Sequence, residues 1–537
     1  MKRKHTKLIC LGLALCFLTG LALGCGSSAN DTKTASAEAT VQTTDQTMET
    51  TAAAAPDGTS PEGMGQPPER PDGTPPGGMG QPPERPDGTP PGGMGQPPER
   101  PDGTPSGGMP GGPGGMGQPP AGGPGGGPGG SSADIEYKGA VEITAADSQS
   151  GQTYASDTAD ESALLVSTGD AVTVDEPTVT KSGSSDGGDS CNFYGLNAAV
   201  LIKDGANVTI TGGTITSDAM GANGVFCYGG NGGRNGAAGD GTTLTIRDTV
   251  ITTTGGGSGG IMTTGGGVTY AYDLTVTTSG QSSAPIRTDR GGGTVYVDGG
   301  TYTSNGLGSP TIYSTAEIHV SNATLTSNLS EGVCIEGKNS IELTNCDMTA
   351  NNTKMNSNAS FLDTIMIYQS MSGDADSGTS AFTMTGGSLT SKSGHVFHVT
   401  NTSAVITLSG VKIVNEDSGN VLLSVCDDGW TGAGNTAVLK AKGQTLEGLV
   451  LVGSNATLTL ELTEGSAFTG AVSGEITNAK GSVVSTQVGT VHVSLDGTST
   501  WTLTADTYVT SFIGDASQVI ANGHTLYVDG VALTGTK

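Results

Sequence analysis

The sequence is poor in charged, basic and aromatic residues. Only 14% of its 537 residues are charged, 4% are aromatic, and two are tryptophan. Lysine and arginine together number 23 against 51 aspartates and glutamates, which gives a net charge of −28. Binding to nucleic acid requires clustered Lys and Arg that neutralise phosphate, and adsorption to anionic lipid requires the same. The composition therefore argues against both kinds of partner.

Glycine is abundant, with 90 residues, and threonine and serine are frequent beside it. An average domain has about 7% glycine and about 25% charged residues, so this chain differs from a typical helical enzyme in both respects. Small and β-branched residues with frequent turn signals favour strands. We expect an all-β protein, built either from two or three ordinary domains or from one long repetitive domain.

The first 25 residues have the pattern of an export signal. A basic start precedes an apolar run from Leu8 to Leu23 that is too short for a stable membrane span. The run ends at Gly24-Cys25, which resembles the bacterial lipobox. The resemblance implies removal of residues 1–24 as a lipoprotein signal peptide, lipidation of Cys25, and anchoring at the extracellular face of the bacterial cell membrane. An ordinary secretory signal with a chance cysteine is the alternative.

Residues 25–130 have the composition of a disordered spacer. Nearly all of the 25 prolines lie in residues 56–130, where the unit PDGTPPGGMGQPPER occurs twice in succession. Too few apolar side chains are present to offset the entropy of ordering, and the glycine spacing excludes collagen. We expect an extended spacer that carries the following region away from the membrane. A recognition tract for a partner is the alternative.

Residues 131–537 repeat one phrase: an alternating strand, a turn of Gly, Asn or Asp, and a second short strand. One copy runs from Val208 to Ser217 and another from Phe382 to Ser391. Most neighbouring copies are about 24 residues apart, and longer gaps near 229–241 and 351–380 predict inserted loops. A unit this short cannot bury its own apolar face, whereas stacked copies can. The pattern therefore predicts a solenoid with one coil per repeat.

The repeat resembles the right-handed parallel β-helix of the pectate-lyase-like superfamily across roughly residues 190–490. The organisation is also similar to adhesin-like and carbohydrate-binding surface lipoproteins of gram-positive bacteria. We assign residues 131–190 to an N-terminal cap region, 191–490 to the parallel β-helix and 491–537 to a C-terminal β cap. Solenoid ends need caps because they expose strand edges. We expect a monomer, and an array of β-sandwich domains is the alternative.

Alignment of one strand from each coil predicts a core column and an outward column. The core column is apolar throughout and consists of Phe226, Met262, Ile286, Ile312, Cys334, Met366 and Phe397. The outward column consists of Cys227, Thr263, Arg287, Tyr313, Ile335, Ile367 and His398. Stacked coils would place outward side chains about 4.8 Å apart along one stripe.

Seven residues on or beside this stripe are candidate binding residues. They combine aromatic, guanidinium and carboxylate groups, which stack on sugars and hydrogen-bond to them. They are Arg287, Asp289, Arg290, Tyr313, Glu336, Lys338 and His398. The expected partner is an extracellular glycan or a host or cell-wall surface. A solvated solenoid face with incidental charges is the alternative for each residue.

Catalysis is a second hypothesis for the same stripe. The resemblance implies that a β-helix polysaccharide lyase would hold calcium with Asp or Glu and take the proton with Arg or Lys, and that a glycoside hydrolase would group its Asp residues. Asp289, Arg287 and Glu336 are the alternative catalytic residues on this hypothesis. No Asp pair recurs on adjacent coils, so the sequence favours a non-catalytic binding protein. A structural envelope protein is the third hypothesis.

No cofactor is expected, although calcium is one possible ligand. Hard oxygen ligands in turns suit calcium, and the candidates are Asp374, Asp376, Asp427 and Asp428. None fits the spacing of an EF-hand loop, and solvated turn aspartates are the alternative. Five of the eight cysteines remain after the signal and Cys25 are set aside. Because five is odd and their spacing irregular, we expect small core residues rather than a disulfide framework.

Overall fold

The computed structural model describes residues 135–232, 238–355 and 358–537. The predicted lipoprotein signal, Cys25 and the spacer to residue 130 lie outside the described residues. Within them the regular structure is almost entirely β-strand, and successive coils pair in parallel. The fold is a parallel β-helix, as the repeat predicted. No helix in the described part of the chain is long and apolar enough to cross a membrane.

Three parallel sheets form the walls of the solenoid, and we call them face 1, face 2 and face 3. In the described residues, face 1 has 15 strands. They are Lys138–Ile143, Glu161–Ser167, Val200–Lys203, Val225–Tyr228, Ile261–Thr264, Ile286–Thr288, Ile312–Ser314, Val333–Glu336, Asp363–Tyr368, His395–Thr400, Val421–Val425, Thr445–Val452, Ala467–Ser473, Thr500–Leu503 and Val519–Ile520.

Face 2 has 14 strands and face 3 has 10 within the same described ranges. Those of face 2 are Asp147–Ser150, Ala171–Asp175, Asn207–Thr211, Thr243–Arg247, Val268–Tyr272, Thr294–Asp298, Glu317–Ser321, Ser340–Thr344, Thr379–Thr385, Ser403–Ser409, Asn435–Lys442, Ala456–Thr463, Thr490–Leu495 and Ser511–Ile513. Those of face 3 are Thr153–Ser156, Thr178–Lys181, Thr214–Ser217, Val250–Thr253, Thr275–Thr278, Thr301–Ser304, Thr324–Ser327, Asp347–Ala350, Ser388–Ser391 and Lys412–Asn415.

The remaining elements are short. They are the antiparallel pair Glu475–Thr477 and Val483–Thr486, a small sheet of Thr507–Val509, Leu526–Val528 and Val531–Ala532, the α-helix Asp189–Tyr194 and the 3-10 helix Ala516–Gln518. The helix is a single insertion near the start of the solenoid, and its side chains pack against face 1.

Strand alternation produces the core. In Ser403–Ser409 every second side chain is buried, because successive side chains of a strand point to opposite sides of the sheet. The inward side chains of all three faces join into one apolar core that reaches from Ile143 to Leu526. Large rings fill part of it, and Phe382 and Phe397 meet edge to face with centroids 5.8 Å apart.

The turn between faces 2 and 3 explains the Gly, Asn or Asp in each repeat. Asn322 and Asn345 adopt φ angles of 55° and 53°, in the left-handed region. Asn and Asp tolerate this region better than other side chains, and Gly adopts it without strain. At Gly213, which has φ 74°, a Cβ atom would also lie 2.2 Å from the carbonyl oxygen of Pro177. Close coil stacking therefore demands glycine there.

The sheets extend beyond residues 191–490 at both ends. The first strand of face 1 is Lys138–Ile143 and the last is Val519–Ile520. Part of the region assigned as an N-terminal cap thus consists of coils with the same pairing as the rest.

The register of face 1 corrects the predicted columns. Met262 pairs with Arg287, Arg287 with Tyr313, and Tyr313 with Cys334. The outer column is therefore Phe226, Met262, Arg287, Tyr313, Cys334, Met366 and His398. The predicted outward positions of Arg287, Tyr313 and His398 are confirmed.

The other aligned strands were out of register by one residue. Phe226, Met262, Cys334 and Met366 lie on the outer side rather than in the central core, and Cys227, Thr263, Ile335 and Ile367 point inward. A one-residue shift moves a side chain to the opposite side of a sheet. The alignment failed because apolar residues occupy both sides of face 1, so hydrophobicity does not mark the inner side.

Candidate functional site: a cleft on the outer surface of face 1

Two covers bury much of the outer surface of face 1. At one end the helix Asp189–Tyr194 packs Phe193 and Tyr194 against Leu201 and Phe226. Further along, Ala359 and Trp430 pack against Cys334 and Met366. Both covers come from segments inserted between strands, and the second follows from the long gap predicted near 351–380 together with the connection around Trp430.

Between the covers lies a cleft of about 560 Å³, which we call the face-1 cleft. Three rings line it, those of Tyr313, Tyr368 and Trp430. Its polar lining consists of Gln281, Ser282, Arg287, Glu331, Glu336, Ser370, Ser372 and Asp374. The predicted residues Arg287, Tyr313 and Glu336 are therefore brought together in one concave site.

Arg287 is held in place by four groups, one of which is the backbone carbonyl of Ser282, to which its Nη1 donates at 3.3 Å. Its Nη2 donates to Oδ2 of Asp289 at 2.6 Å, its Nη1 contacts Oδ1 of Asn192 at 3.4 Å, and its guanidinium lies 5.6 Å from the ring centroid of Tyr313. Asp289 itself is only 3% exposed. Burial outweighs the neighbouring Arg287 and raises the pKa of the Asp289 carboxyl to about 6.

Glu336 is the centre of a hydroxyl cluster. Its Oε2 accepts hydrogen bonds from the hydroxyls of Tyr313 at 2.6 Å and Tyr368 at 3.1 Å, and its Oε1 accepts from Ser370. Burial, followed by the Glu336 charge, raises the pKa of both tyrosines well above its usual value. The two phenols therefore stay protonated and donate. The ring of Tyr368 lies 4.9 Å from that of Trp430.

Two predicted cations lie beside this cluster and form ion pairs. Arg290 pairs with Asp374, and its guanidinium lies 4.2 Å from the ring centroid of Phe193. Lys338 is half-exposed and its Nζ lies 3.1 Å from Oδ2 of Asp376. Arg290 thus ties the helix cover to the rim of the cleft.

His398 does not lie on an exposed stripe. It projects from the outer side of face 1 but is fully buried, with the ring of Phe361 4.7 Å away. Its Nδ1 lies 2.7 Å from Oγ of Ser424, and its Nε2 lies 3.4 Å from Oδ2 of Asp428. The predicted exposure was wrong because the segment that carries Phe361 covers this part of the strand.

The candidate calcium ligands have partners within the protein. Asp374 and Asp376 form the ion pairs just given, and Asp428 accepts from the backbone N–H of Ser360 at 2.7 Å. Asp427 accepts from two asparagine side-chain amides, each at 2.7 Å. No group of three His, Cys, Asp or Glu side chains in the described ranges has the arrangement of a metal site.

Sequence reasoning missed Tyr368, Trp430, Glu331 and Ser370. Tyr368 pairs directly with Glu336 across neighbouring strands, so a correct register would have identified it. Trp430 lies in a connection outside the strands, and no periodicity marks such a residue. Glu331 lies two residues before the strand Val333–Glu336, and only its burial in the cleft wall distinguishes it.

The outer surface of face 2 carries an aromatic ladder. The rings of Tyr270 and Tyr296 stack with centroids 5.2 Å apart, and those of Tyr296 and His319 at 5.0 Å. His319 also lies between two carboxylates, 2.8 Å from Glu317 and 3.1 Å from Glu342. An open depression of about 440 Å³ runs beside the ladder. Because the rings cover one another, little ring face is left for a ligand.

Comparison of this chain with protein-family models, with curated proteins and with solved structures finds no match in any of the three.

Proposed function

We propose that the protein is a cell-surface carbohydrate-binding protein of the adhesin type, and that the face-1 cleft is its non-catalytic binding site. The observation that carries the proposal is the convergence of three rings with Arg287 and Glu336 in one cleft. Rings of this kind stack on sugars, while guanidinium, carboxylate and hydroxyl groups hydrogen-bond to sugar hydroxyls.

The size and direction of the cleft suit a short carbohydrate chain. Its volume lies in the usual range of ligand sites, about 300–1,000 Å³. Its lining comes from successive coils, since Arg287, Tyr313, Cys334 and Met366 are consecutive members of one column. At about 4.8 Å per coil, the column extends roughly 15 Å along the solenoid. An oligosaccharide lying along the axis would contact several coils at once.

The test is saturable binding of the full chain to a panel of uronic-acid, xylan, cellulose and mucin glycans. We expect Arg287→Ala and Tyr313→Ala each to weaken binding by at least about tenfold. Tyr296→Ala, which removes a ring from face 2, is the matched control and should bind normally. Unchanged binding in both cleft variants would contradict the site. Absence of saturable binding to every glycan would favour a structural envelope protein.

A polysaccharide lyase or glycoside hydrolase is the second candidate, and the buried Asp289 favours it. A carboxyl group with a pKa of about 6 can transfer a proton near neutral pH. Asp289 is paired with Arg287, which lines the face-1 cleft together with Glu336. Incubation with the glycan panel would then release new reducing or unsaturated ends, and Asp289→Asn would abolish that release. Binding without new ends would support the first candidate.

The proposed location of the protein, at the outside of the cell membrane, rests on the sequence and belongs to the same proposal. A lipid on Cys25 would anchor the chain to the outside of the cell membrane, and the Pro/Gly-rich spacer would project the β-helix toward glycans of a host or cell wall. Replacement of Cys25 by Ala should abolish labelling of the protein by a lipid precursor in a bacterial host. Retained labelling would contradict the anchor.

A further inference from the structure

The carboxyl groups at the face-1 cleft outnumber the cations. Arg287 is paired with Asp289, and Arg290 is paired with Asp374. Glu331 and Glu336 also line the cleft, and no Lys, Arg or His of the described residues forms an ion pair with either. The described residues therefore supply no cation opposite Glu336, and an acidic sugar could not supply one either.

A third carboxyl group, that of Asp363, lies beside Glu331. Asp363 is almost fully buried, and its Oδ1 has no hydrogen-bond partner. Burial, followed by Glu331, raises the pKa of Asp363 well above its usual value, and burial likewise raises the pKa of Glu331. A positive charge brought next to these two carboxyl groups would favour their ionised form and would in turn be stabilised by it.

The rings beside Glu336 add a second attraction for a cation. Tyr313, Tyr368 and Trp430 present aromatic surface in the same cleft. An ammonium group is attracted to the face of an aromatic ring as well as to a carboxylate. The protein already uses this interaction here, because the guanidinium of Arg287 lies over the ring of Tyr313.

We propose that the face-1 cleft selects carbohydrate chains that carry free amino groups, with an ammonium group held by Glu336 and the rings of Tyr368 and Trp430. The inference rests on the proposed carbohydrate binding and specifies its ligand class. A chain of uronic acids would bring carboxylates toward Glu336 and would be repelled. An N-acetylated chain has the same sugar backbone but carries a bulkier, neutral acetamide in place of the ammonium group.

The experiment compares three oligosaccharides of equal length with the full chain by calorimetry at about pH 6, where amines are charged. They are β-1,4-linked glucosamine, its N-acetylated form and galacturonate. We expect the glucosamine oligomer to bind at least about tenfold more tightly than the N-acetylated one. We also expect its affinity to fall as salt is raised, and galacturonate to bind least.

Two variants test whether the Glu336 charge causes the preference for the glucosamine oligomer over its N-acetylated form. Glu336→Gln keeps the size of the side chain and should weaken glucosamine binding by about tenfold or more beyond any loss of binding to the N-acetylated oligomer. Glu447→Gln removes an equal charge at an exposed position of a later face-1 strand and should change neither. Thermal unfolding shows whether each variant is folded, and if Glu336→Gln is not, the salt dependence of the unaltered protein decides.

The outcomes separate the ligand class from the function itself. Equal or tighter binding of the N-acetylated oligomer or of galacturonate would overturn the inference and leave carbohydrate binding standing. Glucosamine binding that does not respond to salt or to Glu336→Gln would also overturn it. Failure of all three oligosaccharides and of the wider glycan panel would overturn both.

Discussion

The outer surfaces of face 1 and face 2 share one backbone plan yet differ in chemistry. On face 1 inserted segments cover the strands and bury carboxyl groups such as Asp289 and Asp363. On face 2 the outer side of the strands is exposed to solvent. Its side chains stack on one another, as Tyr270 does on Tyr296, or form solvent-exposed ion pairs, as Glu342 does with His319. The parallel strands supply the scaffold in both cases. The connections between strands therefore decide which surface becomes a site.

Removal of the Phe361 ring, which covers part of face 1, should lower the free energy of unfolding more than the other changes below. Phe361 is buried against His395 and His398, and a Phe→Ala substitution in such a place lowers the free energy of unfolding by about 3–5 kcal/mol. Denaturant titration of Phe361→Ala measures this. The pKa of His395, which burial lowers to about 3, should rise toward its usual value and be visible by NMR. A loss below about 1 kcal/mol would mean that face 1 is no better covered than face 2.

The buried carboxyl groups of face 1 should make stability fall as the pH rises from about 4 to 6. The folded-state pKa of Asp289 is raised to about 6, so its contribution is complete below its unfolded pKa of about 3.9 and is lost as the pH rises through about 6. The loss amounts to about 3 kcal/mol at most. Asp289→Asn should flatten this part of the stability profile.

A half-buried carboxylate provides the control of opposite sign. Asp496 accepts hydrogen bonds from the backbone N–H groups of Glu464 and Thr498, at 2.7 and 2.9 Å, and these lower its pKa. Its contribution is therefore lost as the pH falls, and Asp496→Asn should alter only the acidic limb of the profile. An identical profile for Asp289→Asn and the unaltered protein would contradict the prediction for face 1.

Removal of a ring from face 2 should cost less than removal of Phe361. Tyr296 stacks on both Tyr270 and His319 but is 39% exposed. Ring contacts of this kind contribute about 0.5–1.5 kcal/mol beyond burial, so Tyr296→Ala should lower the free energy of unfolding by about 1–2 kcal/mol. Denaturant titration beside Phe361→Ala gives the comparison. Equal losses would show that the open ladder is as important to stability as the covered surface.

Removal of the Glu342 charge from face 2 should change the stability of the protein least. Glu342 is exposed and lies 3.1 Å from His319, and exposed ion pairs contribute about 0–1 kcal/mol. We expect Glu342→Gln to lower the melting temperature slightly at low salt and not at high salt. A large, salt-independent decrease would place this pair among the determinants of the fold.

The fold was predictable because its signal is local and repeated. Alternating residues and the Asn or Gly turn specify each coil, as at Asn322 and Gly213, and repetition adds up the signal over many copies. The register of face 1 was harder, because Phe226 and Met262 are apolar on its outer side. Residues far away in sequence form the cover, so the spacing of apolar residues within the strand does not reveal it.

The candidate site was predictable only where the strands form it. Arg287 and Tyr313 follow from the column, and Glu336 follows from the end of the next strand. Trp430 and the burial of His398 depend on long-range packing of connections, which no local pattern encodes. The acidity of the cleft walls likewise depends on which carboxyl groups the fold leaves without a cation.

The cysteines of the described residues are all free and buried. Burial raises the pKa of each thiol, that of Cys227 to about 12, so little reactive thiolate exists in the native state. The five thiols are spread along the solenoid, at Cys191, Cys227, Cys334, Cys346 and Cys426. A solenoid opens coil by coil from a weak point. The order in which these thiols react with an alkylating reagent would therefore record the direction in which the solenoid unravels.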